Sequence, residues 1–118
     1  MRIQEAMGMG VPAGTAMALA GSSNDNVTAA GTTTADATVL AACNNLILTG
    51  AGSTGVRLPD GCNIGDTFHI GNGTANTIIV YPPTGEEVNN TTSKNLITLT
   101  GGVFTKVGPL HWIGTGAT

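Results

Sequence analysis

Several groups of residues in this chain have types and spacings that could do chemistry. Gly50-Ala51-Gly52-Ser53-Thr54-Gly55 satisfies G-x-G-x-x-G, the pattern that lets backbone approach a dinucleotide pyrophosphate. That use needs a helix after the last glycine, whose N-terminus receives the phosphate charge, and an acidic residue about twenty positions on. Here Val56-Arg57-Leu58-Pro59 follows, an extended segment stopped by proline. The glycines read as a turn.

His69 and His111 are the only histidines. A metal would need a third or fourth ligand converging with them. Cys62 and Asp66 lie near His69 in sequence, but the spacing matches no metal pattern. Each histidine falls in a strand-like run, on the face opposite an apolar neighbour, Phe68 or Trp112, and reads as structural or surface-exposed. Glu86-Glu87 offers two carboxylates for acid–base work, yet adjacent residues of an extended segment point to opposite sides. With Gly85 before it and Asn89-Asn90 after, the pair reads as a solvated loop. Cys43 and Cys62 have no histidine beside them to activate a thiol. A bridge between them would close a loop of roughly twenty residues; without metal-type spacing they read first as buried thiols. The expectation is a protein that is not an enzyme, with no catalytic residue, no cofactor and no metal.

The elements that would position such groups are short. At 118 residues the chain is long enough for one domain, with a core poor in bulk, since aromatics are 3% of residues. Phe68, Tyr81, Phe104 and Trp112 are the expected core anchors, the indole N–H needing one partner. Eighteen glycines raise the entropic cost of ordering the chain, so contact with other subunits would supply burial that the monomer lacks. Charged residues are only 9% of the chain and the net charge is −3. Arg2, Arg57, Lys94 and Lys106 are scattered, which argues against a nucleic-acid partner, and no run is long and apolar enough for a membrane helix.

Residues 1–23 read as an extended arm of Met, Ala and Gly with Pro12. Ala18-Leu19-Ala20 looks like a cleavage site, but Glu5, Gly8, Gly10, Pro12 and Gly14 interrupt the apolar region of a signal peptide; without a secretory route the N-x-T sequences that begin at Asn26, Asn72 and Asn89 carry no glycan. Met1, Ile3, Met7, Met9, Val11, Met17 and Leu19 are the candidate contacts to a capsid or sister subunit. From residue 24 to 118 a β-domain is expected. Residues 34–40 could be helix or strand, and their Thr and Val content favours strand. Strands are then predicted at 45–49, 56–58, 66–70, 77–81, 96–100, 103–107 and 110–113, with turn residues between them. This spacing predicts an all-β fold, a compact antiparallel β-sandwich or small jelly-roll-like barrel traced as a meander. Several strands are apolar on both faces, as burial between a core and a subunit interface would require.

Gly55-Val56-Arg57-Leu58-Pro59, Gly65-Asp66-Thr67-Phe68, Ala75-Asn76-Thr77-Ile78-Ile79-Val80-Tyr81-Pro82-Pro83, Phe104-Thr105-Lys106-Val107-Gly108 and Trp112-Ile113 together resemble small β-rich virion proteins of tailed bacteriophages. Ala30-Gly31-Thr32-Thr33-Thr34-Ala35-Asp36-Ala37 adds to the likeness, which spans roughly Gly31 to Gly114. The resemblance implies a decoration (cement) protein in the virion, a homotrimer whose partner is the major capsid protein, with no catalytic residues. A tail, baseplate or fibre module is the second reading. A carbohydrate-binding domain stacking sugar on Trp112 or Tyr81 is the third.

Overall fold

The computed structural model describes residues 22–118. The seven candidate contact residues of the arm, Met1 to Leu19, lie outside the described residues. Ten strands follow: β1 (Ser23–Thr28), β2 (Thr38–Val39), β3 (Asn44–Thr49), β4 (Gly55–Arg57), β5 (Thr67–Asn72), β6 (Ile78–Tyr81), β7 (Glu87–Val88), β8 (Lys94–Leu96), β9 (Gly101–Gly108) and β10 (His111–Thr115). No helix occurs among the described residues, so the all-β expectation holds.

The architecture is a β-solenoid, not the antiparallel sandwich or barrel expected from the sequence. Odd-numbered strands enter a six-stranded sheet, ordered β1-β3-β5-β9-β10-β7, and even-numbered strands up to β8 enter a four-stranded sheet, β2-β4-β6-β8. The chain therefore changes sheet at nearly every connection and returns parallel to the strand it left. Ser23 pairs with Asn44 and Asn44 with His69 in the larger sheet, while Thr38, Val56 and Val80 line up in the smaller one, all in parallel register. After three such coils the winding reverses. Strand β9 runs antiparallel to β5, β10 antiparallel to β9, and β8 antiparallel to β6. Only β9–β10 forms the tight hairpin that a meander would repeat.

The difference has a local cause. Gly71-Asn72-Gly73 reads as a turn into the next strand of a meander, but Asn72 closes β5 as a corner. Its Nδ2 donates to the carbonyls of Asn76 and Leu96, both at 2.8 Å, and its Oδ1 accepts from Thr74 N at 2.9 Å and Thr74 Oγ1 at 2.7 Å. The chain is thereby turned out of one sheet and into the other. The remaining sequence expectations map closely onto strands. Residues 34–40 are a turn plus the two-residue β2, the turn held by Asp36 Oδ1, which accepts from the backbone of Thr32 and Thr33 and the Thr33 hydroxyl. The strand predicted at 96–100 instead ends at Leu96.

The two sheets face each other across one core. Val27, Ile47, Phe68, Ile70, Phe104 and Trp112 come from the larger sheet, Val56, Ile78, Val80 and Leu96 from the smaller, with Leu40 and Leu58 between. Strict alternation along β5 and β9 produces this: Phe68, Ile70 and Phe104 point in while His69 and Val103 point out. Phe68 and Trp112 meet at 6.0 Å between ring centroids. Tyr81 is buried too, but outside this core. Its ring lies on the outer side of the smaller sheet against Gly55, where any Cβ would strike it, and its hydroxyl donates to the Thr32 carbonyl at 2.8 Å.

Candidate functional site

The groups singled out for chemistry are dispersed by this winding. Gly50–Gly55 forms the corner between β3 and β4, closed by Thr54 N and Oγ1 donating to the Ala51 carbonyl at 3.2 and 2.6 Å. It runs into the strand β4, so no helix N-terminus stands behind it. His69 on β5 and His111 on β10 are both exposed on the outer face of the larger sheet. Among the described residues no three His, Cys, Asp or Glu side chains gather as metal ligands would. Cys43 and Cys62 are buried and unbridged. Cys62 donates its thiol to the Pro59 carbonyl at 3.2 Å; burial, reinforced by the Asp66 carboxylate, pushes its pKa up to about 12. A thiol so held is not a ready nucleophile.

Glu86 departs from the sequence reading. It was expected in a solvated loop; instead its carboxylate turns inward, where one oxygen accepts from the Trp112 indole at 2.9 Å and pairs with Lys106 Nζ at 3.1 Å. The turn that swings it in is set by Glu86 N donating to the Pro83 carbonyl. Its neighbour Glu87 faces the other way on β7, as alternation demands. The ammonium of Lys106 also lies 6.0 Å from the Trp112 ring centroid. This cluster knits β9, β10 and the β6–β7 loop together, and its closed, mutually satisfied geometry reads as structural.

The outer faces of the two sheets differ in kind. On the smaller sheet, the loop carrying Thr32 and Asp36 covers Tyr81, and Arg57 pairs with Asp60 at 3.2 Å. Burial, then the Asp36 charge, raises the Tyr81 pKa, while the Thr33 hydroxyl and backbone lower that of Asp36. With Tyr81 8% and Trp112 2% exposed, neither ring offers the platform that a sugar would stack upon.

No element of the described chain covers the outer face of the larger sheet. Its outward residues read Asn44, Leu46 and Leu48 on β3, His69 and Gly71 on β5, Val103 and Thr105 on β9, and Ile113 and Thr115 on β10. No Lys, Arg, Asp or Glu stands among them. Charge returns only at the margins, with Asp25 on β1 and Glu87 on β7. A shallow groove of about 250 Å³ crosses the β1–β3–β5 side, lined by Asp25, Asn44, Leu46 and His69 among others. At the corner end, Leu46 and Leu48 lie over Gly71 and Gly73. Leu99 donates its backbone N–H to the Asn72 carbonyl at 2.9 Å beside them. Leu48 is 50% and Leu99 80% exposed, against 0% for Ile47 on the inner side of β3.

In the sequence this face is legible only as strands apolar on both sides, and Leu99 reads as part of the 96–100 strand. Compared with known protein families and with curated proteins, the chain matches none.

Proposed function

We propose that the protein is a structural virion subunit, a decoration (cement) protein that binds the outer surface of a tailed-phage head as a homotrimer. Its work is mechanical: it adds contact area between neighbouring major capsid subunits, so that internal pressure must break more interface before the shell fails. Each contact can be modest, because many copies around a shell act together. The observation that carries the reading is the outer face of the six-stranded sheet, which no described element covers and whose charge is confined to Asp25 and Glu87 at its margins. A monomer gains nothing from half-exposed leucines there, whereas an assembly buries them without desolvating ions. The cross-linked corners and the closed Glu86–Lys106–Trp112 cluster suit a rigid scaffold. Residues 1–23 supply the reach across capsid subunits in this reading, through Met1, Ile3, Met7, Met9, Val11, Met17 and Leu19.

The test is reconstitution. Purified protein is added to undecorated heads and the occupied positions are imaged by electron cryomicroscopy. Copies studding the shell, with attachment weakened by deletion of residues 1–23, are the expected result. Copies at the tail alone would replace the decoration role by a tail, baseplate or fibre module. Full occupancy by the truncated chain would remove the segment from the attachment.

A further inference from the structure

We infer that the leucine corner of the six-stranded sheet, formed by Leu46, Leu48 and Leu99 around Gly71 and Gly73, is where copies of this chain meet one another. The inference rests on the assembly reading above and names the partner of that face: a second copy, rather than the shell.

The strongest sign is Leu99. Its φ of 59° places it in the left-handed region, which glycine and asparagine enter readily and a leucine does not. Holding an ordinary residue there costs on the order of 1 kcal/mol. Folding alone would favour glycine at this position, as at Gly61, Gly65 and Gly85, whose φ values are 75°, 100° and 84°. The turn is well secured without the leucine side chain. Leu99 N donates to Asn72, Thr100 N and Oγ1 both donate to the Ile97 carbonyl, and Thr98 Oγ1 donates to the Thr74 carbonyl. What the chain obtains for the strain is a side chain 80% exposed to solvent. None of the described residues covers that side chain, so its packing partner lies beyond them.

The character of the surrounding face selects a second copy. Copies of one chain arranged about a rotation axis bring the same charges near one another, which is easiest to accommodate where charge is sparse. From β3 to β10 the face presents Asn, Thr, Gly, His, Leu, Val and Ile, and its two acidic residues stand at opposite margins, Asp25 and Glu87. The glycines matter as well: Gly71 and Gly73 let Leu46 and Leu48 lie down against the sheet and form one low apolar surface, while at Gly101 no side chain stands over the backbone. The area is also sufficient. Six strands about 4.8 Å apart and about six residues long make a flat footprint of roughly 600 Å². Side-chain relief enlarges that toward the ~800 Å² per partner of a stable interface.

Sedimentation velocity of the purified full chain is the experiment, with Leu48→Glu and Leu99→Gly as variants. The wild type is expected as a multimer of the 11.7 kDa chain. Each variant should raise the concentration for half-dissociation by roughly tenfold or more. Leu99→Gly is the discriminating variant, because it relieves the backbone while deleting the contact. Its dilute, dissociated form should unfold at the same or higher urea concentration than dissociated wild type. A monomeric wild type, or a multimer indifferent to both substitutions, overturns the inference. Two copies instead of three would keep the leucine corner and remove the trimer. A leucine-dependent multimer that fails to occupy heads would leave the corner in place and remove the decoration role.

Discussion

Glu86 and Lys106 form an ion pair of 3.1 Å in which both side chains are nearly enclosed, 13% and 9% exposed, with the Trp112 indole donating to the same carboxylate oxygen. Two charges brought this far from water are held by each other and by one neutral donor. Such a pair adds little beyond what apolar residues of similar shape would supply, but losing one member strands the other.

Glu86→Ala should therefore destabilise the fold by about 3 kcal/mol or more, because Lys106 loses its counter-charge and the indole its acceptor. The double variant Glu86→Gln with Lys106→Met should recover most of that loss, since no buried charge remains and the indole keeps a carbonyl acceptor. Urea denaturation of the two variants beside wild type checks both statements. Equal losses in the single and double variants would show that packing, not charge, dominates there.

The inward pattern of the strands could be read from residue order. Thr67-Phe68-His69-Ile70 alternates, and the structure buries Phe68 and Ile70 while exposing His69. What residue order could not give is which sheet each strand joins. A glycine- and asparagine-rich break looks the same in a hairpin and in a solenoid corner, and only the long-range bond of Asn72 to Leu96 distinguishes them. Glu86 was misread for a related reason. Its flanking residues are those of an exposed loop, and its partners lie in strands β9 and β10, far along the chain. Tyr81 is buried as its strand pattern suggests, but on the outer side of the smaller sheet under the Thr32 loop, which contributes no periodic signal. The candidate interface suffered most. Leu46 and Leu48 alternate visibly with Ile47, but Leu99 sits in a Leu-Ile-Thr-Leu-Thr run that imitates a strand, and its left-handed φ is a property of the turn, not of the residue type.

Asn72 uses both ends of its amide at the corner, so replacements separate its donor and acceptor roles. Asn72→Ala removes four hydrogen bonds from a site that is 2% exposed and leaves the Leu96 carbonyl short of a partner. A loss of about 2–3 kcal/mol is expected. Asn72→Asp keeps the acceptor for Thr74 but sets a carboxylate against the carbonyls of Asn76 and Leu96. At neutral pH it should be at least as damaging as alanine, and part of its stability should return in mild acid as the carboxyl regains a proton to donate. Thermal melts of the two variants at neutral and acidic pH provide the measurement.

Gly55 is fixed by its neighbour, not by its own backbone angles. A Cβ there would stand 2.5 Å from the Tyr81 ring and 3.0 Å from the Ile79 carbonyl oxygen. The ring is held by its hydroxyl bond to Thr32, so it cannot easily swing clear. Gly55→Ala should cost about 1–3 kcal/mol through overpacking. Tyr81→Leu should cost stability alone but make Gly55→Ala less harmful, a coupling that a double-mutant cycle in urea would detect. Strictly additive losses would mean that the Ile79 backbone is the true obstacle.

The Cys62 thiol sets an alkaline limit on the fold. Its pKa is raised from an ordinary 9.0 to about 12, chiefly by burial and next by the Asp66 carboxylate. In the unfolded chain the thiol ionises near its ordinary value, while in the native protein it stays protonated. The native state thus retains a proton that the unfolded state releases, and stability declines as pH rises. The thiol's contribution is intact below about pH 9 and is lost progressively toward about pH 12. The decline is at most about 1.4 kcal/mol per pH unit for one proton. The raised pKa of Tyr81 works in the same direction, so Cys62→Ala should flatten the alkaline slope without abolishing it. The same protection predicts reactivity. Near neutral pH the native protein should take up iodoacetamide at Cys62 at least a hundredfold more slowly than the urea-unfolded chain, by the roughly three-unit shift in thiolate population. Peptide mapping after timed alkylation, with quenching by excess thiol, reads the two rates separately for Cys62 and Cys43. Equal rates for native and unfolded Cys62, together with an alkaline slope unchanged in Cys62→Ala, would place the thiol in contact with solvent and remove it from the stability of the fold.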